Sequence, residues 1–395
     1  MDCAMSFLLA ERLFTALFGE PTGPLYDEGY AERRPARPST ARPLQYELLL
    51  DAPTLKLRHY LPLRRPRRRL PVLLVPPLMV TADVFELHPR RSLARYLVEQ
   101  GYDVFLLDYG KPQSRDRRLS LGRYIEHRVH TGVRMVKQVT GSDELSLIGY
   151  CLGGIFANCY AALHPQSGIR NIVTIGTPTD FSAMPLQRIL AGVSRQPLET
   201  LAATYGYIPA AVCNASFHLL HPDAILRHPL EFWRSLRDPD FAASLRPDGG
   251  RYLEYVNLTE AAFRQLWHNF VMGNELMQDQ FTIGRRRVNY GRIRAAALVL
   301  ASREDRLVPP AAVTAVTKKL TTQDVTVRFV KGGHLGMLIG SRAERTWRIT
   351  AEWLDTRSRY QARYRATTRV KNKPATVVPL PAASLPLPAV LRKVS

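Results

Sequence analysis

Apolar residues along this chain fall into two alternating patterns. Short runs, Pro71 to Val75, Val104 to Asp108, Leu145 to Ile148, Asn171 to Gly176, Ala295 to Ala301 and Val325 to Val330, read as strands, and Leu145 to Ile148 has the apolar content of one buried in a parallel sheet. Between them, apolar residues recur at helical spacing. Leu93, Tyr96 and Leu97 share one face of Arg91 to Gly101, which stops at its glycine. Leu121, Tyr124, Ile125, Val129, Val133 and Val136 share one face of a second helix. Further helices are expected from Pro310 to about Leu320 and from Arg342 to Leu354. Leu44 to Leu50 and Leu55 to Leu61 read as a hairpin turned at Asp51-Ala52-Pro53. Strands and helices that alternate in this way predict an α/β fold, a mostly parallel sheet with helices on both faces.

The rhythm breaks twice. From about Ser182 to Tyr290 aromatics and prolines are frequent, and helical candidates such as Thr259 to Gln278 outnumber strands. This stretch reads as a cap inserted over the C-terminal edge of the sheet. The expected organisation is therefore an N-terminal arm at 1–43, a core in two parts at 44–182 and 291–355, a cap at 183–290 and a basic, proline-rich tail at 356–395. The arm begins with a short amphipathic helix, Ser6 to Phe18, which Glu11 and Arg12 interrupt, so it does not read as a secretory signal. In the tail, Pro379, Pro381, Pro386 and Pro388 break the apolar stretch Ala375 to Leu391 and rule out a regular spanning helix.

Composition narrows the picture. With 395 residues, 46 % of them hydrophobic, the chain can bury a sizeable core. Its four cysteines, Cys3, Cys151, Cys159 and Cys213, form neither a disulfide framework nor a metal-ligand spacing, which fits a reducing cytoplasm and no metal. The net charge of +21 allows anionic partners, but no nucleic-acid-binding motif accompanies it, so nucleic acid is not expected. Arg64 to Arg69 is the densest basic run. It reads as a solvated loop first and a phosphate contact second.

Leu145 to Ala162 carries the chemistry. A strand runs into Gly149-Tyr150-Cys151-Leu152-Gly153-Gly154, and a helix follows, with Ile155, Cys159 and Ala162 at helical spacing. This is the nucleophile-elbow pattern G-x-S-x-G with cysteine in the serine place. Glycines flank a nucleophile on a strained turn because neighbouring Cβ atoms would clash there. The turn lifts the thiol to a helix N-terminus, where a thiolate is favoured. The Leu152 amide then points to an oxyanion. On its own the motif could equally be an inert cysteine in a glycine-rich turn.

Two later residues decide between these readings. Asp305 follows the strand ending at Ala301, within Asp305-Arg306-Leu307-Val308-Pro309-Pro310. His334 follows the last strand, within Gly332-Gly333-His334-Leu335-Gly336. Either could be structural, Asp305 as a surface acid and His334 as a core histidine. Together with Cys151 they appear in the order nucleophile, acid, histidine, each where a strand gives way to a loop at the carboxyl edge of the sheet. His334 would take the thiol proton and Asp305 would hold the imidazole tautomer. Leu152 and an amide at Leu78 or Met79 would form the oxyanion hole. A thiolate that attacks a thioester exchanges one thioester for another, so cysteine suits acyl transfer from coenzyme A as well as hydrolysis.

From about Leu70 to Leu354 the chain resembles the poly(3-hydroxyalkanoate) (PHA) synthases of the α/β-hydrolase superfamily, especially the shorter class III catalytic subunits. The resemblance rests on Pro71 to Val75, Glu99-Gln100-Gly101, Val104 to Gly110, Gly149 to Gly154, Cys159 to Pro165, Asn171 to Thr174, Ala262 to Gln265, Asp305 to Pro310 and Gly332 to Gly336. It implies polymerisation of (R)-3-hydroxyacyl-CoA into polyester with release of CoA and no further cofactor. It assigns the growing chain to Cys151, thiol activation to His334 and assistance to the substrate hydroxyl to Asp305. It also implies a second synthase subunit, dimerisation through the cap and a place at the polyester granule surface. Pro77 to Thr81 lacks an asparagine common in the family, and Asp108-Tyr109 stands where Asp-Trp is usual. The enzymatic alternative is a divergent relative that hydrolyses acyl thioesters or esters. A third reading is a silent granule-surface protein.

Overall fold

The computed structural model describes residues 44–63, 70–88, 91–185, 196–219, 254–340 and 342–358. The N-terminal arm, the basic run Arg64 to Arg69, part of the expected cap and the C-terminal tail lie outside these residues.

Eight strands form one sheet: β1 (Tyr46–Ala52), β2 (Leu55–Tyr60), β3 (Val72–Val75), β4 (Val104–Asp108), β5 (Leu145–Tyr150), β6 (Ile169–Ile175), β7 (Ala296–Ser302) and β8 (Val325–Val330). They lie in the order β1-β2-β4-β3-β5-β6-β7-β8. The hairpin β1–β2 is antiparallel, as is the β2–β4 pair, and every pair from β4 to β8 is parallel.

Alternation along the central strands sorts side chains to two faces, as the period of two requires. Leu73, Val75, Phe105, Leu107, Leu145, Leu147 and Val299 pack on one face. Val72, Leu74, Val104, Leu106, Ile148, Tyr150, Leu298 and Leu300 pack on the other. The second face is covered by helix α1 (Leu93–Glu99) and by the last helix. Ser92 caps α1, its hydroxyl accepting from the Arg95 amide at 2.9 Å. On the first face lies the helical run α2, built from Leu121–Arg123, a π-helical stretch Tyr124–Val129 and His130–Thr140. It includes the amphipathic helix expected from Leu121 to Val136 and runs one turn further. Helix α3 (Leu152–Leu163) is buried along its whole length beside α2. That explains why it is apolar all round rather than amphipathic.

Between β6 and β7 the described elements include α4 (Gln196–Tyr205), α5 (Ala210–Leu219) and α6 (Glu260–Gln265), which continues as a π-helical stretch, Leu266–Met272. The helix expected to reach Gln278 therefore ends six residues early. Helix α7 (Pro310–Thr314) tightens into a 3-10 turn, Ala315–Lys318, and α8 (Glu344–Arg357) closes the described chain.

A buried charge cluster pins the antiparallel end of the sheet. Arg58 of β2 bonds Asp83 at 2.6 Å and also bonds Asp108, the last residue of β4. Asp108, which the sequence places near the expected pocket, is thus held by a structural ion pair. Among the described residues no helix is long and apolar enough to cross a membrane.

Candidate active site

The chain leaves β5 through a strained residue. Cys151 has φ +52° and ψ −123° and caps the N-terminus of α3. A non-glycine residue there is uncommon and holds only when its surroundings fix it. Two contacts fix it. The Cys151 amide donates to the Ile175 carbonyl at the end of β6, at 2.9 Å, and the Gly154 amide donates to the Cys151 carbonyl at 3.0 Å. The flanking glycines are required by close approach. A Cβ on Gly149 would lie 2.4 Å from the Gly154 Cα, and one on Gly153 would lie 2.1 Å from the Val75 carbonyl oxygen. The approach of Gly153 to the Val75 and Pro76 carbonyls presses the start of α3 against the end of β3.

Cys151 is partly exposed, whereas Cys159 and Cys213 are buried, and all three are free thiols. Burial pushes the Cys159 and Cys213 thiols up to about 12, so they stay protonated. Of these three, the accessible thiol is the one on the elbow.

His334 meets Asp305 across the ends of β8 and β7. Its Nδ1 lies 2.7 Å from Asp305 Oδ2, and both side chains are buried. The other carboxylate oxygen, Oδ1, accepts from the Leu307 amide at 3.0 Å and the Val308 amide at 2.8 Å. The Leu-Val-Pro-Pro sequence after Asp305 thus folds its own amides back onto the acid, and α7 begins directly after it. Burial works to lower the His334 pKa, but the charges of Asp305 and Cys151 outweigh it and raise it from 6.5 to about 10. Its Nε2 is buried and makes no hydrogen bond. His334 and Asp305 thus meet at the carboxyl edge of the sheet, the edge at which Cys151 follows β5.

Two supports of His334 were not visible in the sequence. The Tyr150 hydroxyl donates to the His334 carbonyl at 3.1 Å, and the two rings lie 5.1 Å apart. Glu304, next to the acid, accepts from the Gly332 amide at 2.9 Å and so ties the two loops together. Tyr150 occupies a wildcard position of the elbow motif. Glu304 sits in a charged stretch that resembles any solvated loop.

The loop after β3 has its own strain. Met79, beside the buried Leu78, has φ +70°. It is held from the segment before α6: the Val256 amide donates to the Met79 carbonyl and the Thr81 amide donates to the Glu254 carbonyl, each at 2.9 Å, around a Val80–Tyr255 bridge. Leu78, Met79, Tyr109, Tyr124, Val256 and Leu258 line a narrow pocket beneath this roof. The hydroxyl of Tyr109, the residue that departs from the family pattern, is buried there without a hydrogen bond.

A family model described as alpha/beta hydrolase fold matches residues 71–341. The chain is 29 % identical over 289 residues to the poly(3-hydroxyalkanoate) polymerase subunit PhaC of Allochromatium vinosum, covering 73 % of this chain and 81 % of that protein. It is 28 % identical over 306 residues to the subunit of the same name from a Synechocystis species, covering 73 % of this chain and 78 % of the relative. Among solved structures, a monoacylglycerol lipase from Paleococcus ferrophilus superimposes with a TM-score of 0.45 at 18 % identity, covering 74 % of this chain and 96 % of that one.

Proposed function

Since the chain belongs to the alpha/beta hydrolase fold family and, within it, to the poly(3-hydroxyalkanoate) synthases, we propose that it is an acyltransferase that builds polyester from (R)-3-hydroxyacyl-CoA on Cys151. The observation that carries the catalytic assignment is the His334 ring. One nitrogen is locked to a buried carboxylate, the other is buried without a hydrogen bond, and the ring of Tyr150, the residue before Cys151, lies 5.1 Å from the imidazole.

In this reading His334 and Cys151 work as an imidazolium–thiolate pair. The thiolate attacks the thioester carbon. The resulting oxyanion is received by the Leu152 amide, which as the first of its helix has no intrahelical acceptor, and by an amide at Leu78 or Met79. The bond to the CoA sulfur breaks, and CoA leaves as its thiol with the proton from His334 Nε2. The acyl group is now a thioester on Cys151. His334 Nε2 then takes the proton of an acceptor hydroxyl, whose oxygen attacks the acyl-cysteine. An ester forms, and Cys151 departs as thiolate, paired again with the imidazolium. Asp305 acts through His334, because its two oxygens are already committed to the ring and to two amides. The cycle needs no cofactor beyond the thioester.

A chain that grows on the enzyme places the protein at the surface of a cytoplasmic polyester granule, and the resemblance adds a second synthase subunit and a homodimer to this proposal. The test is incubation with (R)-3-hydroxybutyryl-CoA, beside Cys151→Ala, with CoA release followed and the acyl product identified. Insoluble polyester that is lost in the variant is expected. Free 3-hydroxybutyrate alone would move the protein to the hydrolases, and no release with or without a second synthase subunit would favour a silent scaffold.

A further inference from the structure

A second pocket opens near the His334 loop. Its lining is Lys331, Arg342, Glu344, Arg345 and Arg348, around an open volume of about 390 Å³. Four cations face one carboxylate. Among the described residues only Arg348 of the four has an ion-pair partner, Glu352, at 4.0 Å. Lys331, Arg342, Arg345 and Arg348 are exposed. Like charges gathered in one concavity repel each other and raise the local potential, an arrangement that favours an anion.

Position gives the anion an identity. Lys331 follows β8 directly, three residues before His334, so it lies at the carboxyl edge of the sheet where Cys151 also lies. Cys151 follows β5, and β6 and β7 intervene before β8. Three strand spacings are about 14 Å. The thioester end of an acyl-CoA is separated from its phosphates by the pantetheine arm, an extended chain suited to bridging such a span. The arginine forks match phosphate oxygens, and a phosphate monoester carries about −1.5 to −2 charges near neutrality.

We infer that the Lys331–Arg342–Arg345–Arg348 pocket binds the phosphates of the acyl-CoA donor while its thioester reaches Cys151. This assignment rests on the proposed acyltransferase reading for its ligand, but its test does not require turnover. Calorimetric titration of the Cys151→Ala protein compares CoA, dephospho-CoA and pantetheine. CoA is expected to bind at least tenfold more tightly than pantetheine, with dephospho-CoA between them, and the CoA affinity is expected to fall as salt rises. Arg342→Gln combined with Arg345→Gln, both at exposed positions, is expected to weaken CoA about tenfold and leave pantetheine unchanged. Arg285→Gln, an exposed arginine elsewhere, serves as the control and is expected to change neither. In the active protein the double variant raises KM for the CoA ester with kcat kept, and leaves KM for the matching acyl-pantetheine thioester unchanged.

Equal affinity for CoA and pantetheine, or an unchanged CoA affinity in the double variant, overturns the assignment. So does loss of binding to anionic lipid vesicles in that variant with no competition by CoA, which makes the pocket a lipid contact. If CoA binds through these arginines but no acyl product forms, the pocket stands and the acyltransferase reading falls. If polyester forms at an unchanged KM in the double variant, the reverse holds.

Discussion

Replacing Asp305 by Asn separates the tautomer role of the acid from its place in the fold. Asparagine keeps an oxygen to accept from the Leu307 and Val308 amides, so the loop is retained. Its amide nitrogen then faces His334 Nδ1, where it can donate but not accept. The ring must carry its proton on Nε2, and that nitrogen can no longer take a proton from the thiol or from the acceptor hydroxyl. Loss of the correct tautomer in a triad costs about 10⁴ in rate, which at 1.36 kcal/mol per decade is about 5 kcal/mol of barrier. Removing the carboxylate charge also removes the largest influence raising the imidazole, so the His334 pKa must fall from about 10 toward its ordinary value. The assay is single-turnover release of CoA, measured from pH 6 to 10, together with thermal unfolding. A drop of about four decades with a native-like melting curve is expected. A rate within tenfold of the parent, in a folded protein, would refute the triad as drawn.

Other expectations follow from the same contacts. Gly153→Ala drives a Cβ into the Val75 carbonyl at 2.1 Å, backbone against backbone, so the elbow must open; overpacking of this kind costs about 1–3 kcal/mol or more, and CoA release should fall further than stability does. His334 is raised in the folded state, so its contribution to stability is complete below pH 6.5 and is lost as pH climbs through about 10. The difference in unfolding free energy between the parent and His334→Asn should therefore be largest near pH 6 and shrink toward pH 10, and a difference that grows with pH would contradict the pairing. Tyr150→Phe removes one hydrogen bond to the His334 carbonyl and should cost about 1 kcal/mol in denaturant melts. Arg58→Met removes the ion-pair partner that Asp108 has on the neighbouring strand and should destabilise by about 3–5 kcal/mol while the folded fraction still releases CoA.

Local pattern carried much of this molecule. The central strands declare themselves as apolar runs because helices cover both faces, and β4 falls on the expected residues; the edge strand β8 does so too, although most of its side chains are not buried. Cys151 was legible because its strain forces glycines on either side. Asp305 and His334 were legible because they sit where strands end. What stayed hidden is non-local. Tyr150 reaches His334 across the sheet, 184 positions on, and nothing in its own neighbourhood marks it. The ladder between the Met79 loop and Glu254–Val256 joins two irregular stretches that have no shared period. Asp108 is conspicuous beside the expected pocket, yet its partner Arg58 lies on the neighbouring strand and turns it into a structural residue. The π-helical stretches at Tyr124–Val129 and Leu266–Met272 keep nearly the same apolar face as an α-helix, so spacing does not reveal them.

In the proposed reaction Cys151 carries the acyl group. Its most direct test mixes the protein with (R)-3-hydroxybutyryl-CoA, quenches in acid within the first turnovers and maps the adduct by peptide mass spectrometry. A 3-hydroxybutyryl group or its short oligomers are expected on the peptide that contains Cys151, formed as CoA appears, with neither seen in Cys151→Ala. CoA release that continues in Cys151→Ala, with no adduct on the parent thiol, would contradict it.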